Sequence, residues 1–370
     1  MRFLIISHTP HQITSKGLSA YAPYVKEMNL WLKYVDTVEI VAPASKKKLG
    51  LALNYNRKDV VFTPIPAISL TSFFEIIRAI VLAPYLFFKT CAAMHRADHI
   101  HLRCPGNIGL LGCVAQVFFP KKIKTTKYAG NWDPGAKQPW SYRLQKYILS
   151  HEKLTKNMSV LIYGEWPGQS KNCKSFFTAT YSKEQQLVMK QRKYNLPLRF
   201  LFVGSLVKGK RPLYALRLIH ELIENGIPSE LHVYGNGPLY EKMRRYIQEN
   251  DLDKFVYLYG NKDFKSIERT YQKSHFLILA SKSEGWPKVV AEAMWWGVLP
   301  VVTRVSCVPW MLAEGSRGIL IQGNLKKDTK KLRKELSNKN ALRTKSYKAM
   351  LWSRKYTLEL FESEIKKLLR

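Results

Sequence analysis

The segment FLILASKSEGWPKVVAEAMWWG, residues 276–297, predicts a buried strand, a polar loop and a helix in direct succession. Residues 276–280 form an unbroken apolar run, which is typical of a strand inside a parallel sheet. Pro287 is typical of the first turn of a helix, and Gly297 of the residue that follows its last turn. The helix therefore begins beside a strand's carboxyl end, where free N–H groups and the helix dipole favour an anion.

Two carboxylates accompany this predicted helix. Glu284 lies in the loop, and Glu292 lies eight residues further on, which is about 12 Å at the helical rise. This distance lets one carboxylate reach a sugar ring while the other reaches the ribose of the same nucleotide sugar. The alternative is a helix cap followed by a surface glutamate, but the neighbours of Glu292 are apolar: Val290, Ala291, Ala293 and Met294.

Two earlier strands end in glycine turns. In FLFVGSLVKGKRP, residues 200–212, Gly204 ends the strand and Lys210 is the natural phosphate contact in a cationic loop. In LHVYGNGP, residues 231–238, the strand ends in a Gly-Asn-Gly turn before a proline. Taken singly, each segment also fits an ordinary strand, turn and helix.

Apolar strands alternate with amphipathic helices along the chain, which predicts parallel sheets in an α/β protein. We expect two doubly wound domains facing a cleft: an N-terminal acceptor domain (1–190), a linker (191–197) and a donor domain (198–345). We expect a C-terminal helix (346–370) to return to the N-terminal domain. The predicted strands are 3–7, 38–42, 99–103, 125–129, 160–163, 199–203, 230–234, 255–258, 276–280, 299–303 and 318–321.

Composition favours a folded protein with an anionic partner. The chain has 370 residues, of which 46% are hydrophobic, so disorder is excluded. The 60 Lys and Arg residues outnumber 27 Asp and Glu residues, and the formal net charge is +33. The five scattered cysteines and the short apolar run at the N-terminus indicate a reducing cytoplasm rather than export.

The longest apolar stretch is residues 72–94, which Glu75, Arg78, Pro84 and Lys89 interrupt. A membrane span needs about 20 residues with few charges. Three interpretations remain open: a buried helix pair, a helix lying on a bilayer surface, and a span.

These elements together resemble glycosyltransferase family 4, the retaining enzymes of GT-B fold. The resemblance is close over residues 200–321 and loose in the first half of the chain. Glu284 and Glu292 match the family's pair of glutamates, and Lys210 falls at its diphosphate-binding lysine. Three positions depart from the family pattern: Ser205 replaces a common arginine, Lys16-Gly17 stands at a glycine pair, and Arg103 falls at a frequent histidine.

The resemblance implies transfer of a sugar from a nucleotide-diphosphate donor, with retention at the anomeric carbon. Asp251-Leu252-Asp253 has the Asp-x-Asp form of a diphosphate-metal site, but it lies between a predicted helix and the start of a strand, so we expect a loop there and no metal. The resemblance also implies Glu284, Lys210 and Arg103 as catalytic residues, and Lys208 or Arg211 as substitutes for the missing arginine. The implied donor-binding residues are Gly204, Ser205, Lys210, Tyr234, Gly235, Asn236, Gly237, Gly260, Lys262, Ser281, Glu284, Gly285, Trp286, Pro287, Lys288, Val289 and Glu292.

The first domain is expected to bind the acceptor, because polar and aromatic residues follow its strands. These residues are His8, His11, Lys16, Gly17, His101, Asn107, Asn131 and Trp132. The excess of cations favours a lipid-linked acceptor, in polysaccharide or lipopolysaccharide synthesis, and a peripheral location on the cytoplasmic face of an anionic membrane. The alternatives are a basic nucleic-acid-binding protein, a GT-B sugar-nucleotide epimerase and an inactive scaffold.

Overall fold

The computed structural model describes residues 1–45, 47, 49–188 and 191–369. The chain forms two compact units: Met1–Phe177 with Phe361–Arg370, and Thr178–Leu360. The expected domain boundary at residue 190 and the chain end at residue 370 lie outside the described residues.

The first unit is built on a seven-stranded parallel sheet. Its elements are β1 (Arg2–Ile6), β2 (His11–Thr14), β3 (Gly17–Tyr21), α1 (Ala22–Trp31), β4 (Thr37–Pro43), β5 (Ala52–Asn54), β6 (Val60–Ile65), α2 (Phe73–Arg96), β7 (His99–Cys104), α3 (Asn107–Ala115), β8 (Ile123–Tyr128), α4 (Trp140–Ser150), β9 (Met158–Tyr163) and β10 (Cys173–Phe176). The sheet order is β10-β9-β8-β7-β1-β4-β6. Strand β1 pairs with β7 and β4 and is apolar because its side chains are buried on both faces of the sheet: Phe3, Leu4, Ile5 and Ile6 are fully buried.

A small antiparallel sheet accompanies the large one. β2 pairs with β3, and β3 pairs with β5. Ile13 is 73% exposed in this sheet and Leu51 lies exposed beside it. The alternation of apolar and polar residues is too short here to stand out in the sequence, and none of these strands was among the predicted ones.

The second unit is built on a six-stranded parallel sheet of order β13-β12-β11-β14-β15-β16. Its elements are β11 (Leu198–Val203), α5 (Pro212–Glu224), β12 (Ser229–Tyr234), α6 (Tyr240–Glu249), β13 (Val256–Leu258), α7 (Phe264–Lys273), β14 (Phe276–Leu279), α8 (Lys288–Trp295), β15 (Leu299–Thr303), α9 (Val308–Met311), β16 (Ile319–Ile321), α10 (Leu325–Leu336) and α11 (Lys339–Ser353). The core lies between the sheet and its helices, with Phe200, Phe202 and Phe276 fully buried.

The expected linker, residues 191–197, lies inside the second unit. Tyr194 is 1% exposed and belongs to the core of that unit. The guanidinium of Arg192 donates to carbonyl oxygens at the ends of α7 and α8, those of Gln272, Ser274, Trp296 and Gly297. These bonds join the segment to the second unit rather than leaving it as a free connection.

The last helix, α12 (Leu358–Leu368), contributes Phe361 to the core of the first unit. Lys127 is fully buried beneath it. The Lys127 ammonium donates to the carbonyl of Phe177 at 2.8 Å and lies 4.4 Å from the ring centroid of Phe176 and 5.4 Å from that of Phe361. Aromatic faces and a carbonyl thus stabilise a cation that has been removed from water.

The structure confirms the α/β prediction of two doubly wound Rossmann-type units of GT-B architecture. All eleven predicted strands are present with small shifts at their ends. Of the three interpretations of residues 72–94, the buried helix pair is wrong, because α2 is one 24-residue helix that contains Pro84. This helix is long and apolar enough to cross a membrane by length and composition, with a mean hydropathy of 1.6 and 22% of its most apolar window buried.

Candidate active site

Three loops meet at the carboxyl edge of the second sheet, after β11, β12 and β13. The N–H of Gly204 donates to the carbonyl of Tyr234 at 2.9 Å, and that of Gly235 donates to Gly260 at 2.8 Å. A Cβ on Gly235 would lie 1.9 Å from the carbonyl oxygen of Gly204, and the φ of Gly235 is +144°. Only glycine fits at this position, and the close contact lets the loops form one surface.

The Gly-Asn-Gly turn continues this contact. The N–H of Leu206 donates to the carbonyl of Asn236 at 3.0 Å, and the Asn236 side-chain oxygen accepts from the N–H of Gly237 at 2.7 Å. A Cβ on Gly237 would approach the carbonyl oxygen of Leu206 to 2.8 Å. The turn is therefore fixed against the loop that follows β11.

An aromatic pair borders these loops. The ring of Tyr234 stacks on that of Tyr259 with centroids 4.6 Å apart and an interplanar angle of 16°. The hydroxyl of Thr270 donates to the Tyr234 hydroxyl at 3.0 Å and fixes the ring. Tyr259 is 37% exposed, and Lys262 is exposed in the loop that follows. The stacked tyrosine rings thus offer a flat apolar surface, and Lys262 adds a positive charge in the loop that follows.

Lys210 and Glu284 form an ion pair. The Lys210 ammonium lies 2.5 Å from a carboxylate oxygen of Glu284, and the two side chains are 33% and 8% exposed. The loops that carry them also join through their backbones, because the N–H of Lys282 donates to the carbonyl of Gly209 at 2.9 Å. The structure thus brings together the predicted diphosphate cation and the predicted sugar-binding carboxylate.

Helix α8 begins directly after this pair. Pro287 is its N-cap residue, and Lys288 and Val289 form the start of its first turn. The N–H groups of a helix's first turn have no acceptor within the helix, and the dipole makes this end positive. Because Glu284, the partner of Lys210, lies only four residues before Lys288, the free N–H groups of α8 follow the ion pair directly in the chain.

Side chains at the end of β15 and just after it form hydrogen bonds with the backbone near Glu284. The carbonyl of Gly285 accepts from the Ser306 hydroxyl at 3.3 Å and from the Cys307 thiol at 3.2 Å. Ser281, at the end of β14, is 1% exposed, and its carbonyl accepts from the Thr303 hydroxyl at 2.6 Å. Among the residues that the structure describes, no partner is present for the Ser281 hydroxyl oxygen.

Glu292 lies on α8 and is held by two hydroxyl groups. Thr180 donates to one carboxylate oxygen at 3.0 Å, and Tyr271 donates to the other at 3.1 Å. Burial raises the pKa of the Glu292 carboxyl, which the two hydrogen bonds and the charge of Lys288 partly offset. A carboxylate has about four acceptor sites, so both oxygens retain the capacity to accept from a ligand.

Trp286 packs in an aromatic cluster that the sequence analysis did not foresee. Its ring stacks on Trp352 at 6.1 Å and contacts Tyr356 at 5.9 Å and Trp310 at 6.3 Å. Trp286 is only 7% exposed, so its side chain packs beneath the loop and does not line a site for the sugar nucleotide, contrary to the prediction from the sequence. These partners are distant in sequence, and no local pattern could have identified them.

Lys208 and Arg211 are the two residues expected to replace the missing arginine in the loop after β11. Lys208 is exposed to solvent, whereas Arg211 contacts neighbouring residues. Ser205 and Lys208 are both exposed. Arg211 donates to the carbonyl of Gly323 at 3.0 Å, and its guanidinium lies 4.5 Å from the ring centroid of Tyr214. Lys208 is therefore the better placed of the two for a phosphate.

Arg103 does not fit its predicted catalytic role. It is 8% exposed, its guanidinium lies 2.5 Å from the carboxylate of Glu27, and it lies over the ring of Tyr24 at 5.3 Å. Removing a charge from water requires such a partner, and the buried carboxylate provides it. The structure assigns Arg103 to a buried ion pair of the first unit.

Three predicted acceptor-binding residues belong to the core. His11 and His101 are fully buried, and Trp132 is 4% exposed. The ring nitrogens of His11 bond to the carbonyl of Thr9 and the hydroxyl of Tyr55, both at 2.8 Å. His101 lies between the rings of Trp31 and Phe3, and Trp132 packs edge-on against Tyr128. Burial excludes direct contact of these side chains with an acceptor.

The other predicted acceptor-binding residues lie nearer the surface. His8 is exposed after β1, and Lys16 is exposed in the turn between β2 and β3, beside the half-buried Gly17. Asn107 begins α3 and donates to the carbonyl of Ile68 at 3.1 Å. Asn131 is half-buried after β8, where its side-chain oxygen accepts from the N–H of Asp133.

No group of three or more His, Cys, Asp or Glu that could hold a metal ion occurs among the described residues. Asp251 and Asp253 lie before β13, at the amino end of that strand. They are therefore at the opposite end of the sheet from Lys210 and Glu284.

Comparison with known proteins shows which family part of this chain is similar to. Residues 183–350 match the family model described as glycosyl transferases group 1. An uncharacterized glycosyltransferase of Methanocaldococcus jannaschii is 30% identical over 143 residues, which are 39% of this chain and 39% of that protein. The lipopolysaccharide 1,6-galactosyltransferase of Escherichia coli is 32% identical over 71 residues, 19% of this chain and 20% of that protein. These matches thus span well under half of each relative's length.

Solved structures share the fold over the full length. HepE of Anabaena, in complex with UDP and glucose, aligns over 100% of this chain and 99% of its own, with a TM-score of 0.68 and 13% identity. At this identity the likeness establishes the fold alone. The chain therefore has the GT-B fold, and its residues 183–350 are similar to glycosyl transferases group 1.

Proposed function

We propose that this protein is a glycosyltransferase that moves a sugar from a nucleotide-diphosphate donor to a glycan or lipid-linked glycan. The observation that carries the proposal is the Lys210–Glu284 ion pair beside the start of α8. A cation, a helix N-terminus and a carboxylate are the groups that a diphosphate and the hydroxyls of its sugar require. The UDP and glucose of the HepE complex support the same donor class.

Each part of the site has a place in donor binding. The Lys210 ammonium and the N–H groups of Lys288 and Val289 bind the diphosphate. Glu284 accepts hydrogen bonds from the sugar hydroxyls, and Glu292 accepts from the ribose. The glycine loops, residues 234–237 and 260–262, hold the base, with the stacked tyrosines as the apolar border.

The reaction is a front-face displacement with retention at the anomeric carbon. The bond between that carbon and the diphosphate oxygen breaks, the acceptor hydroxyl oxygen bonds to the carbon from the same side of an oxocarbenium-like centre, and the hydroxyl proton passes to the departing diphosphate oxygen. Negative charge grows on the departing diphosphate, and Lys210 and the α8 N-terminus meet that charge without reorganising. The leaving group needs no metal in this proposal, and the displacement needs no covalent intermediate.

The acceptor side belongs to the first unit in this proposal. His8, Lys16, Asn107 and Asn131 are the predicted residues that lie near its surface. The partial match to a lipopolysaccharide galactosyltransferase supports a hexosyl donor and a cell-surface glycan as the product. Such a reaction uses cytoplasmic sugar nucleotides, so we place the protein in the cytoplasm.

A screen of thermal unfolding with UDP, GDP and ADP sugars tests the donor. A bound donor raises the unfolding temperature by mass action, and the sugar nucleotide with the largest shift is then incubated with glycan acceptors. We expect product only when an acceptor is present, and we expect Glu284→Gln to lower turnover strongly. Failure of every sugar nucleotide to bind, or a Glu284→Gln variant within about threefold of wild-type turnover, contradicts the proposal.

A further inference from the structure

Helix α2 exposes an unusually apolar surface. Six of its large apolar side chains are between 52% and 81% exposed: Phe73, Phe74, Ile80, Val81, Tyr85 and Phe88. At 100° per residue these six positions fall within an arc of about 140° on one side of the helix. We call this surface the α2 face. Scattered apolar side chains on a surface are ordinary, whereas a continuous stripe marks an interaction site.

The opposite side of α2 attaches the helix to the first unit. Ala79, Leu86 and Ala93 are buried at seven-residue spacing, which keeps them on one line along the helix. One side of the helix thus packs against the first unit along its length, and the opposite side is exposed. An arrangement of this kind presents the helix parallel to a surface, whereas a span would have to detach it from the sheet.

Cations border the α2 face. Arg78, Lys89 and Arg96 are spaced by eleven and seven residues, so they line one edge of the apolar arc. The side chains of Arg78 and Arg96 are 60% and 43% exposed. Two carboxylates meet this edge: Glu39, which is buried, lies 2.6 Å from Arg96, and Glu75 lies 4.0 Å from Arg78.

A neighbouring element extends the same pattern. Phe118, just after α3, is 67% exposed, and its ring lies 5.7 Å from that of Phe87 on α2. Lys121 follows at the surface and adds a further cation. The exposed apolar surface therefore continues beyond α2 to Phe118.

We propose that the α2 face binds the surface of an anionic lipid bilayer, with its apolar side chains at the boundary between headgroups and acyl chains. The positive charge beside the α2 face favours an anionic bilayer over a second copy of this chain as its partner. A second copy of this chain would bring another body of net charge +33 against the cationic border, whereas anionic lipids neutralise it. An apolar stripe with basic residues beside it is the form of helix that lies in a membrane interface. This proposal does not depend on the proposed sugar transfer.

Sedimentation of the full chain with vesicles tests it. Vesicles of phosphatidylcholine with an equal part of phosphatidylglycerol are compared with vesicles of phosphatidylcholine alone, at low and high salt. We expect binding to the anionic vesicles that weakens with salt, and little binding to the neutral ones. The double variant Phe74→Ser/Phe88→Ser should bind the anionic vesicles about tenfold more weakly or worse.

Two controls keep the outcome clear. Leu196→Ser removes an apolar side chain that is 58% exposed in the second unit, and it should bind as the wild type does. Arg78→Glu should weaken binding to anionic vesicles alone. Unchanged thermal unfolding shows that each variant is folded. Wild-type binding by the double variant overturns the proposal, as does a dimer in solution that the double variant dissociates. Neither readout involves a sugar nucleotide, so failure here is distinct from failure of the proposed function.

Discussion

Replacing Glu284 by glutamine should tighten the binding of a nucleoside diphosphate while it slows sugar transfer. In the structure, the Lys210 ammonium is already paired with the Glu284 carboxylate at 2.5 Å. A diphosphate that binds Lys210 must replace this partner and also approaches a negative charge. Glutamine has nearly the same shape and no charge, so Lys210 becomes available to the diphosphate.

The size of the effect follows from the exposure of the pair. Because Lys210 is 33% exposed, the pair resembles a surface ion pair and contributes about 1 kcal/mol. A difference of 1.4 kcal/mol is tenfold in affinity, so we expect UDP to bind Glu284→Gln about fivefold more tightly. A UDP-sugar also loses a carboxylate acceptor for its hydroxyls, and its affinity should not rise in the same way.

Isothermal titration of wild type and Glu284→Gln with UDP and with a UDP-sugar measures both affinities. Glu335→Gln is the matched control, because it removes a second ion pair of the same unit, with Lys345 at 2.8 Å. The control should leave UDP affinity unchanged. If Glu284→Gln binds UDP no more tightly than wild type, the ion pair does not compete with the diphosphate and this reasoning is refuted.

Other predictions concern stability. Glu27→Gln leaves the buried Arg103 without its counterion, and it should lower the unfolding free energy by about 3–5 kcal/mol in urea titrations. Burial lowers the pKa of His11 to about 4, below its unfolded value of 6.5, so the unfolded state binds more protons between these values. Protonation of His11 should therefore contribute roughly 3 kcal/mol to the fall in unfolding free energy as pH drops from 6.5 to 4, and urea titrations across this range should show a fall smaller by about this amount for His11→Gln. Arg192→Lys keeps the charge but loses the planar fork that reaches four carbonyls, and it should lower the thermal unfolding temperature by several degrees.

Much of the fold was predictable from the sequence because its central strands are covered on both faces. Such strands must be apolar throughout, and the runs that contain Phe3 and Phe276 show this directly. The edge strands β6 and β10 pair with a neighbour on one side only and were missed, because β10 carries Lys174 and Ser175 and β6 contains Pro64, which argues against a strand. The continuity of α2 through Pro84 was also not predictable from residue preference alone.

The candidate site was likewise predictable in the second unit and much less so in the first. The glycine loops, Lys210 and Glu284 follow strand ends in one sheet, so local patterns sufficed to place them together. The first unit offered only isolated residue types. The residue type of a histidine or tryptophan does not tell whether its side chain faces solvent or the core. His101 is buried against Phe3 and Trp31, which are far away in sequence, and Trp132 is buried beside Tyr128.

The place of Phe361 has a consequence for biosynthesis. This residue covers Lys127 in the first unit, yet the ribosome adds it only after the 183 residues from Thr178 to Leu360. At about 5–20 residues per second this takes roughly 10–40 s. Throughout that time the nascent first unit lacks the aromatic ring that closes over its buried ammonium, and Phe176 and Phe177 stay open to chaperones. The half of the protein that is translated first is therefore the half that is completed last.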